Sequence, residues 1–503
     1  MRVDPGFVAL PLDVLADAAL SHAVELGAEH ADVRVEHIRT RHVAIRDTDL
    51  SGMHDGSDVG LAVRVIHGGT WGFSSVPDQT PEAAAHAAER AVTVAKVSRA
   101  LRRGPVVLAP EPVSTGTWVS DYQVNPFDVA VGDTIALLTD YSTRLLGDAR
   151  VTHSTATLQQ VQENTFYADT AGTRTVQQRV RVHPQVEALG VDADAGTFDT
   201  MRTLAAPAAR GYEYVTGSDG VHDWDAELAE IPGLLAERMG APSVEPGTYD
   251  LVIEPSNLWL TIHESIGHAT ELDRALGYEA NYAGTSFATP DQLGKLRYGT
   301  ELLNVTGDRT VAHGLATVAW DHEGVAAQTW DIVRDGVLVG YQLDRSSAML
   351  LPHGPGRSNG CAFADSPGHI PIQRMANVSL APSAEPTSAA DLIGAVDDGL
   401  YVVGDKSWSI DQQRYNFQFT AQRFYRIVDG RLAGQVRDAA YQGRTPDFWG
   451  SLAGLGGAST WVLGGAANCG KAQPGQVAPV SHGAPTALFR DVNVLNTAEE
   501  GQR

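Results

Sequence analysis

LWLTIHESIGHATELDRALGY, Leu258 to Tyr278, carries His263-Glu264-Ser265-Ile266-Gly267-His268 at its centre. A helix that offers two histidines to one metal ion usually reads H-E-x-x-H, with the histidines four apart. Here they are five apart. At about 100° per residue, side chains five apart on a regular α-helix point about 140° away from each other. With about 4.4 residues per turn the same five residues advance roughly 410°, which returns the second side chain to within about 50° of the first. Gly267, just before the second histidine, makes such an irregularity cheap. The spacing therefore predicts a widened helix around Ile266-Gly267 if both histidines serve one metal.

The residue types suit that purpose. Zinc takes imidazole and thiolate ligands and, in catalytic sites, keeps one position open. Glu264 follows the first histidine, where a general base stands in such motifs. A third ligand is needed, and the candidates are Glu271, Glu279, His322, Cys361, His369, Cys469 and His482. Glu271 could instead accept from an imidazole N–H as a supporting group. A cysteine suits zinc as a soft ligand, but spacing does not choose between Cys361 and Cys469.

Around this helix the second half of the chain is mostly strands and turns. Examples are GTYDLVIEP (247–255), ATVAWDHEGVAAQTWDIVRDGVLVGYQL (316–343) and YNFQFTAQRFYRIVDGRLAG (415–434), in which RDG and VDG read as hairpin turns. The first half reads differently. Leu12 to Leu26 has amphipathic helical spacing. ADVRVEHIRTRHVAIRD and VGLAVRVIHGGTWGFSSV alternate as strands, with HGG as a turn. Thr80 and Pro81 open a second, Ala-rich helix. After the Pro-rich RGPVVLAPEPVSTGTW, a helix is expected from Pro126 to Gly147, strands on either side of the turn DTAGT, and a helix from Trp224 to Met239. The expected fold class is α+β and multi-domain. An N-terminal α+β domain spans 1–103, a middle α/β domain 104–240, and a strand-rich C-terminal domain bearing the metal-binding helix 241–503.

Bulk properties narrow the function. The chain has 503 residues, too many for one core. A net charge of −24, without a Lys/Arg cluster, argues against a nucleic-acid partner. No run approaches 18 apolar residues, so no membrane partner is expected. Two cysteines exclude a disulfide framework and fit a reducing compartment, and the N-terminus is a poor signal peptide. The expected location is cytoplasmic.

Gly465-Ala-Ala-Asn-Cys-Gly470-Lys471-Ala472 fits G-x-x-x-x-G-K. The magnesium-binding hydroxyl is replaced by Ala472, and Pro474 and Gly475 oppose the helix that a phosphate loop requires. Nucleotide binding is therefore disfavoured. The same stretch could bring the Cys469 sulfur to a metal.

Taken together, HESIGHATE, ANCGKAQPGQVAPVSHGAPTALFRDVNV, WDHEGVAAQ, DGVLVGYQLDR and SNGCAFADSPGHIPIQRMANV resemble core segments of the TldD/PmbA (TldE) family of metallopeptidases, in the family's order. ADVRVE and VGLAVRVIHGGTWGFSS resemble its first domain. The resemblance covers nearly the whole chain. It implies a zinc-dependent peptidase with His263, His268 and Cys469 as ligands and Glu264 as general base. It implies Cys361 as a non-ligand. The H-E-x-x-x-H signature implies the TldD-type catalytic subunit, and the family implies a PmbA/TldE-type partner subunit.

The expected activity is cleavage of peptides, or of unfolded or modified polypeptides, by metal-activated water with Glu264 as base. His322, Arg357 and Tyr278 are candidate oxyanion donors. The rival readings are a zinc-stabilised peptide-binding scaffold with little turnover, hydrolysis of another amide or ester, and nucleotide binding.

Overall fold

The computed structural model describes residues 1–102, 104–194 and 196–500. The first sheet has β1 (His30–Arg46), β2 (Asp49–His67), β3 (Thr70–Val76), β4 (Thr115–Val119), β5 (His153–Asp169), β6 (Arg174–Asp192) and β7 (Thr197–Arg202). Its order is β3-β2-β1-β5-β6-β4, with β7 also on β6. The β2–β3 turn is the expected HGG. Gly68 and Gly69 sit at φ +57° and +67°, the left-handed pair that a tight two-residue hairpin needs. In the β5–β6 turn the Asp169 carboxylate accepts from the backbone N–H of Ala171 and Thr173.

Two helix pairs cover one face of this sheet. Helices Leu12–Glu25 and Pro81–Ser98 bury Leu15, Ala19, Ala87 and Ala91 against Val33, Val35 and Val63. Thr80 caps the second of these by accepting from Ala83 N–H. Helices Val131–Leu146 and Trp224–Gly240 bury Leu138, Leu145 and Leu235 against Val43, Ile45 and Leu158. The helix expected from Pro126 begins only at Val131. The reason is local: the Asn125 side chain accepts from Phe127 N–H and its carbonyl from Asp128 N–H, so these residues form a turn. One sheet runs through both segments 1–103 and 104–240. The boundary placed at residue 103 lies outside the described residues.

The second large sheet starts at Gly247. Its order is Asp398–Ile410, Gly247–Ile253, Ala487–Asn496, Ala439–Arg444, Asn416–Val428 and Arg431–Val436, with Leu452–Leu455 also on Ala487–Asn496. The α+β, strand-rich architecture is thus the one expected. The core between this sheet and the motif helix holds Leu258, Ile262, Ile266, Phe417, Phe419, Tyr441 and Phe489. A separate hairpin, Val462–Lys471 with Gln476–Ala484, packs across the motif helix.

The inner face of the first sheet is polar and buried. Arg64 pairs with Glu323 at 3.0 Å, Arg34 donates to the carbonyls of Ser366 and His369, and Gln177 donates to that of Trp320. These contacts fasten the first sheet to segments 320–328 and 358–370. Among the described residues no helix is long and apolar enough to cross a membrane.

Candidate metal centre

Strand Gly247–Ile253 runs out of the second sheet directly into helix Pro255–Ile262. Glu254 caps it by accepting from Ser256 N–H, and Pro255 occupies its first turn. The helix is regular to Ile262. From His263 to Gly267 it widens into a π turn, in which His268 N–H donates to the His263 carbonyl five residues back. Ser265 anchors the wide turn. Its Oγ donates to the Thr261 carbonyl and accepts from Trp449 Nε1, and Tyr298 Oη donates to its carbonyl. The widening expected from the five-residue spacing is therefore present, and the rings of His263 and His268 lie 4.6 Å apart.

Cys469 arrives from the hairpin. Its strand pairing is irregular between Ala466 and Cys469, so the chain bulges there. Buried Arg374 holds the strand by donating to the carbonyls of Cys469 and Gln476. One ligand atom from each of His263, His268 and Cys469 lies within 4.8 Å of the others, and all three residues are buried.

Hydrogen bonding orients the two histidines of this candidate ligand set. His482 Nδ1 donates to the Val378 carbonyl at 2.8 Å, which leaves His482 Nε2 as an acceptor. That nitrogen is 2.7 Å from His263 Nδ1, so the proton of His263 sits on Nδ1 and its Nε2 lone pair is free. His268 Nδ1 donates to Glu271 at 2.9 Å, which frees its Nε2, 3.4 Å from the Cys469 sulfur. Burial lowers the pKa of both His263 and His268 and so favours neutral rings. Burial alone would push the Cys469 thiol up, but the imidazolium form of His268, with Arg374, outweighs it and lowers the pKa; a cation bound in place of the imidazolium proton would favour the thiolate in the same way. Two imidazoles and a cysteine sulfur are a donor set that suits zinc. Three ligands leave a fourth position open.

Glu264 is buried beside the first histidine and pairs with Arg414 Nη1 at 2.5 Å. Glu271 is not in the ligand cluster. Burial pushes its carboxyl up, but the Lys471 ammonium and the His268 ring outweigh that and hold it well below the usual range. Lys471 is itself fully buried, with Nζ on Glu271, Asp273 and both oxygens of Gln373. Its segment is a strand, not a loop leading to a helix. The lysine is committed to these partners, and the phosphate-loop reading has no support in the fold.

The other candidates stand apart from the cluster. Cys361 is buried near Arg309 and Asp321, with its thiol pushed up to about 12 by burial. His322 accepts from Ala364 N–H and lies 3.8 Å from Glu36, against the first sheet. His369 pairs with Asp365, and Glu279 accepts from Ala472 N–H. Arg357 pairs with Glu111, and Tyr278 is 63% exposed. The residue that sequence reading missed is Arg414. It lies more than 140 positions from Glu264, in a turn with no motif of its own.

The C-terminal region, residues 246–496, matches the PmbA/TldA metallopeptidase C-terminal domain, and residues 31–95 match domain 1 of the same family. The chain belongs to the TldD/PmbA metallopeptidase family. A metalloprotease of Methanothermobacter thermautotrophicus is 27% identical over 475 residues, 94% of this chain and 97% of its own length. The zinc metalloprotease TldD homolog of Saccharolobus solfataricus is 22% identical over 427 residues, 85% of this chain and 88% of its own. TldE from Thermococcus kodakarensis shares the fold, with a TM-score of 0.70 at 16% identity, covering 94% of this chain and 98% of that one. These TldD/PmbA relatives span both halves of the chain.

Proposed function

We propose that this chain is the TldD-type, zinc-bearing subunit of a cytoplasmic peptidase that works with a PmbA/TldE-type partner subunit. Its substrates are peptides or unfolded polypeptides. The observation that carries this reading is the convergence of two imidazoles and a cysteine sulfur beside a buried glutamate. In it His263, His268 and Cys469 hold Zn²⁺. The zinc, when bound, supplies a Lewis acid that polarises a carbonyl and makes water more acidic.

The remaining work falls to the chain's own groups. Glu264 takes a proton from the attacking water and delivers it to the leaving amine nitrogen. Glu271 and His482 keep the two ligand rings in the tautomers that face inward. A thiolate ligand tempers the Lewis acidity relative to a third histidine, which fits a modest turnover.

The test compares zinc content and peptide cleavage in wild type, His263→Ala, Cys469→Ala and Glu264→Gln. Zinc should be lost in the first two variants and retained in Glu264→Gln, with cleavage abolished in all three. Equal zinc in every protein would refute the metal assignment. Full cleavage by zinc-loaded Glu264→Gln would defeat Glu264 as the base, and tight zinc without peptide cleavage in the wild type itself would favour the scaffold reading.

A further inference from the structure

Arg414 is held in an unusual way. It is a non-glycine residue at φ +62°, a left-handed conformation that its surroundings must enforce. The Asp411 carboxylate enforces it by accepting from the backbone N–H of Gln413, Tyr415 and Asn416 and from the Asn416 side chain. Thr445 Oγ1 donates to the Arg414 carbonyl, and Thr285 and Phe287 N–H pin the carbonyls of Gln412 and Gln413. The turn is thus fixed from three sides, and its product is one guanidinium set against Glu264.

That guanidinium is only partly used. Nη1 meets Glu264 Oε2 at 2.5 Å, and Nε is buried without a partner among the described residues. A buried N–H without an acceptor costs about 1–3 kcal/mol, so the pair with Glu264 leaves this guanidinium with donor capacity that a turn of the side chain could bring to a second acceptor. We propose that Arg414 is a catalytic residue, the donor to the oxyanion that forms when water adds to the scissile carbonyl. The proposal rests on the peptidase reading above.

Charge bookkeeping supports the assignment. In the addition step the water oxygen bonds to the carbonyl carbon, the π pair moves onto the carbonyl oxygen, and the water proton goes to Glu264. Negative charge leaves Glu264 as it appears on the substrate oxygen. The strongest acceptor near Arg414 therefore changes from the glutamate to the oxyanion, and the forked guanidinium can follow it. On collapse the C–N bond breaks, its pair goes to nitrogen, and that nitrogen takes the proton from Glu264. Arg414 then returns to the carboxylate.

The experiment uses zinc-loaded wild type, Arg414→Ala and Arg414→Lys. Calorimetry measures binding of two uncleavable tri-alanine analogues. One replaces the scissile amide with a phosphinate, which mimics the charged tetrahedral species. The other replaces it with a trans-alkene, which has no oxygen to bind. Arg414→Ala should weaken the phosphinate about 10²–10³-fold, the usual worth of one oxyanion donor, and change the alkene less than threefold. Arg414→Lys should recover part of the loss. Added guanidinium ion should raise kcat of Arg414→Ala without lowering KM. Equal weakening of both ligands, or none for the phosphinate, would overturn the proposal. Should Arg414→Ala unfold, Arg414→Gln carries the same comparison. An Arg414-dependent phosphinate preference in a protein that cleaves no peptide would keep the anion site and defeat the peptidase reading instead.

Discussion

His263 Nδ1 lies 2.7 Å from His482 Nε2, and this contact decides which nitrogen of His263 faces the other ligands. The chain of donors runs from His263 through His482 to the Val378 carbonyl. His482 thus acts on the site without being one of the three clustered candidate ligands.

His482→Phe removes the acceptor while keeping an aromatic ring in a fully buried position. His263 is then free to carry its proton on Nε2, where it blocks ligation. Zinc affinity should fall about 10–100-fold, the usual effect of losing a group that orients a ligand. Competition with a chromogenic chelator measures this. Unchanged affinity would show that the tautomer is fixed by some other contact.

Lys471 neutralises two carboxylates, the buried Glu271 and the partly buried Asp273. Burial pushes Asp273 up to about 6 even with the ammonium 2.7 Å away. Lys471→Met leaves Glu271 and Asp273 without that counter-ion, at a cost of about 3–5 kcal/mol for a broken buried pair. Urea unfolding should show this loss. ATP should cause no thermal shift in wild type or variant; a Lys471-dependent shift would revive the nucleotide reading.

The polar face between the first sheet and the C-terminal segments makes stability depend on pH. Burial pushes the Glu36 carboxyl up from 4.5 to about 7, and Arg34 offsets this only in part. The folded state then binds the proton more tightly than the unfolded state. Stability from this group is present below about pH 4.5 and is lost as pH rises to about 7. At about 1.4 kcal/mol per pH unit, the loss is on the order of 3 kcal/mol. Glu323, also pushed up to about 7 by burial, acts in the same direction. Buried histidines such as His322 and His482, whose pKa is lowered, act in the opposite direction, so the readout is the difference between proteins: from pH 5 to pH 8 the wild type should lose stability relative to Glu36→Gln. A difference that stays constant from pH 5 to pH 8 would count against Glu36 as a source.

Much of this was legible from local pattern. Alternation marked β1, β2 and β3, and the glycines of HGG marked the turn because only residues tolerant of positive φ suit it. The Thr80-Pro81 helix start rests on contacts within four residues. The wide turn at His263–Gly267 followed from arithmetic on two histidine positions, since side-chain direction on a helix depends only on residues per turn. By contrast, Pro126 misled, because an asparagine side chain one residue earlier competes with the helix for backbone donors.

What the sequence determined by itself was the set of elements, the widened motif helix and, through resemblance, the metallopeptidase family. Tertiary structure alone decided the rest. It placed Cys469 beside His268 and kept Cys361 against Arg309, though both are buried thiols. It also turned His482 and Lys471 into supports, and it put Arg414 on Glu264 across about 150 residues of chain. The reason is physical. Helix phase and turn geometry are set by neighbours a few residues away, whereas ligation, tautomer and ion pairing depend on which atoms meet when two sheets and a hairpin pack together.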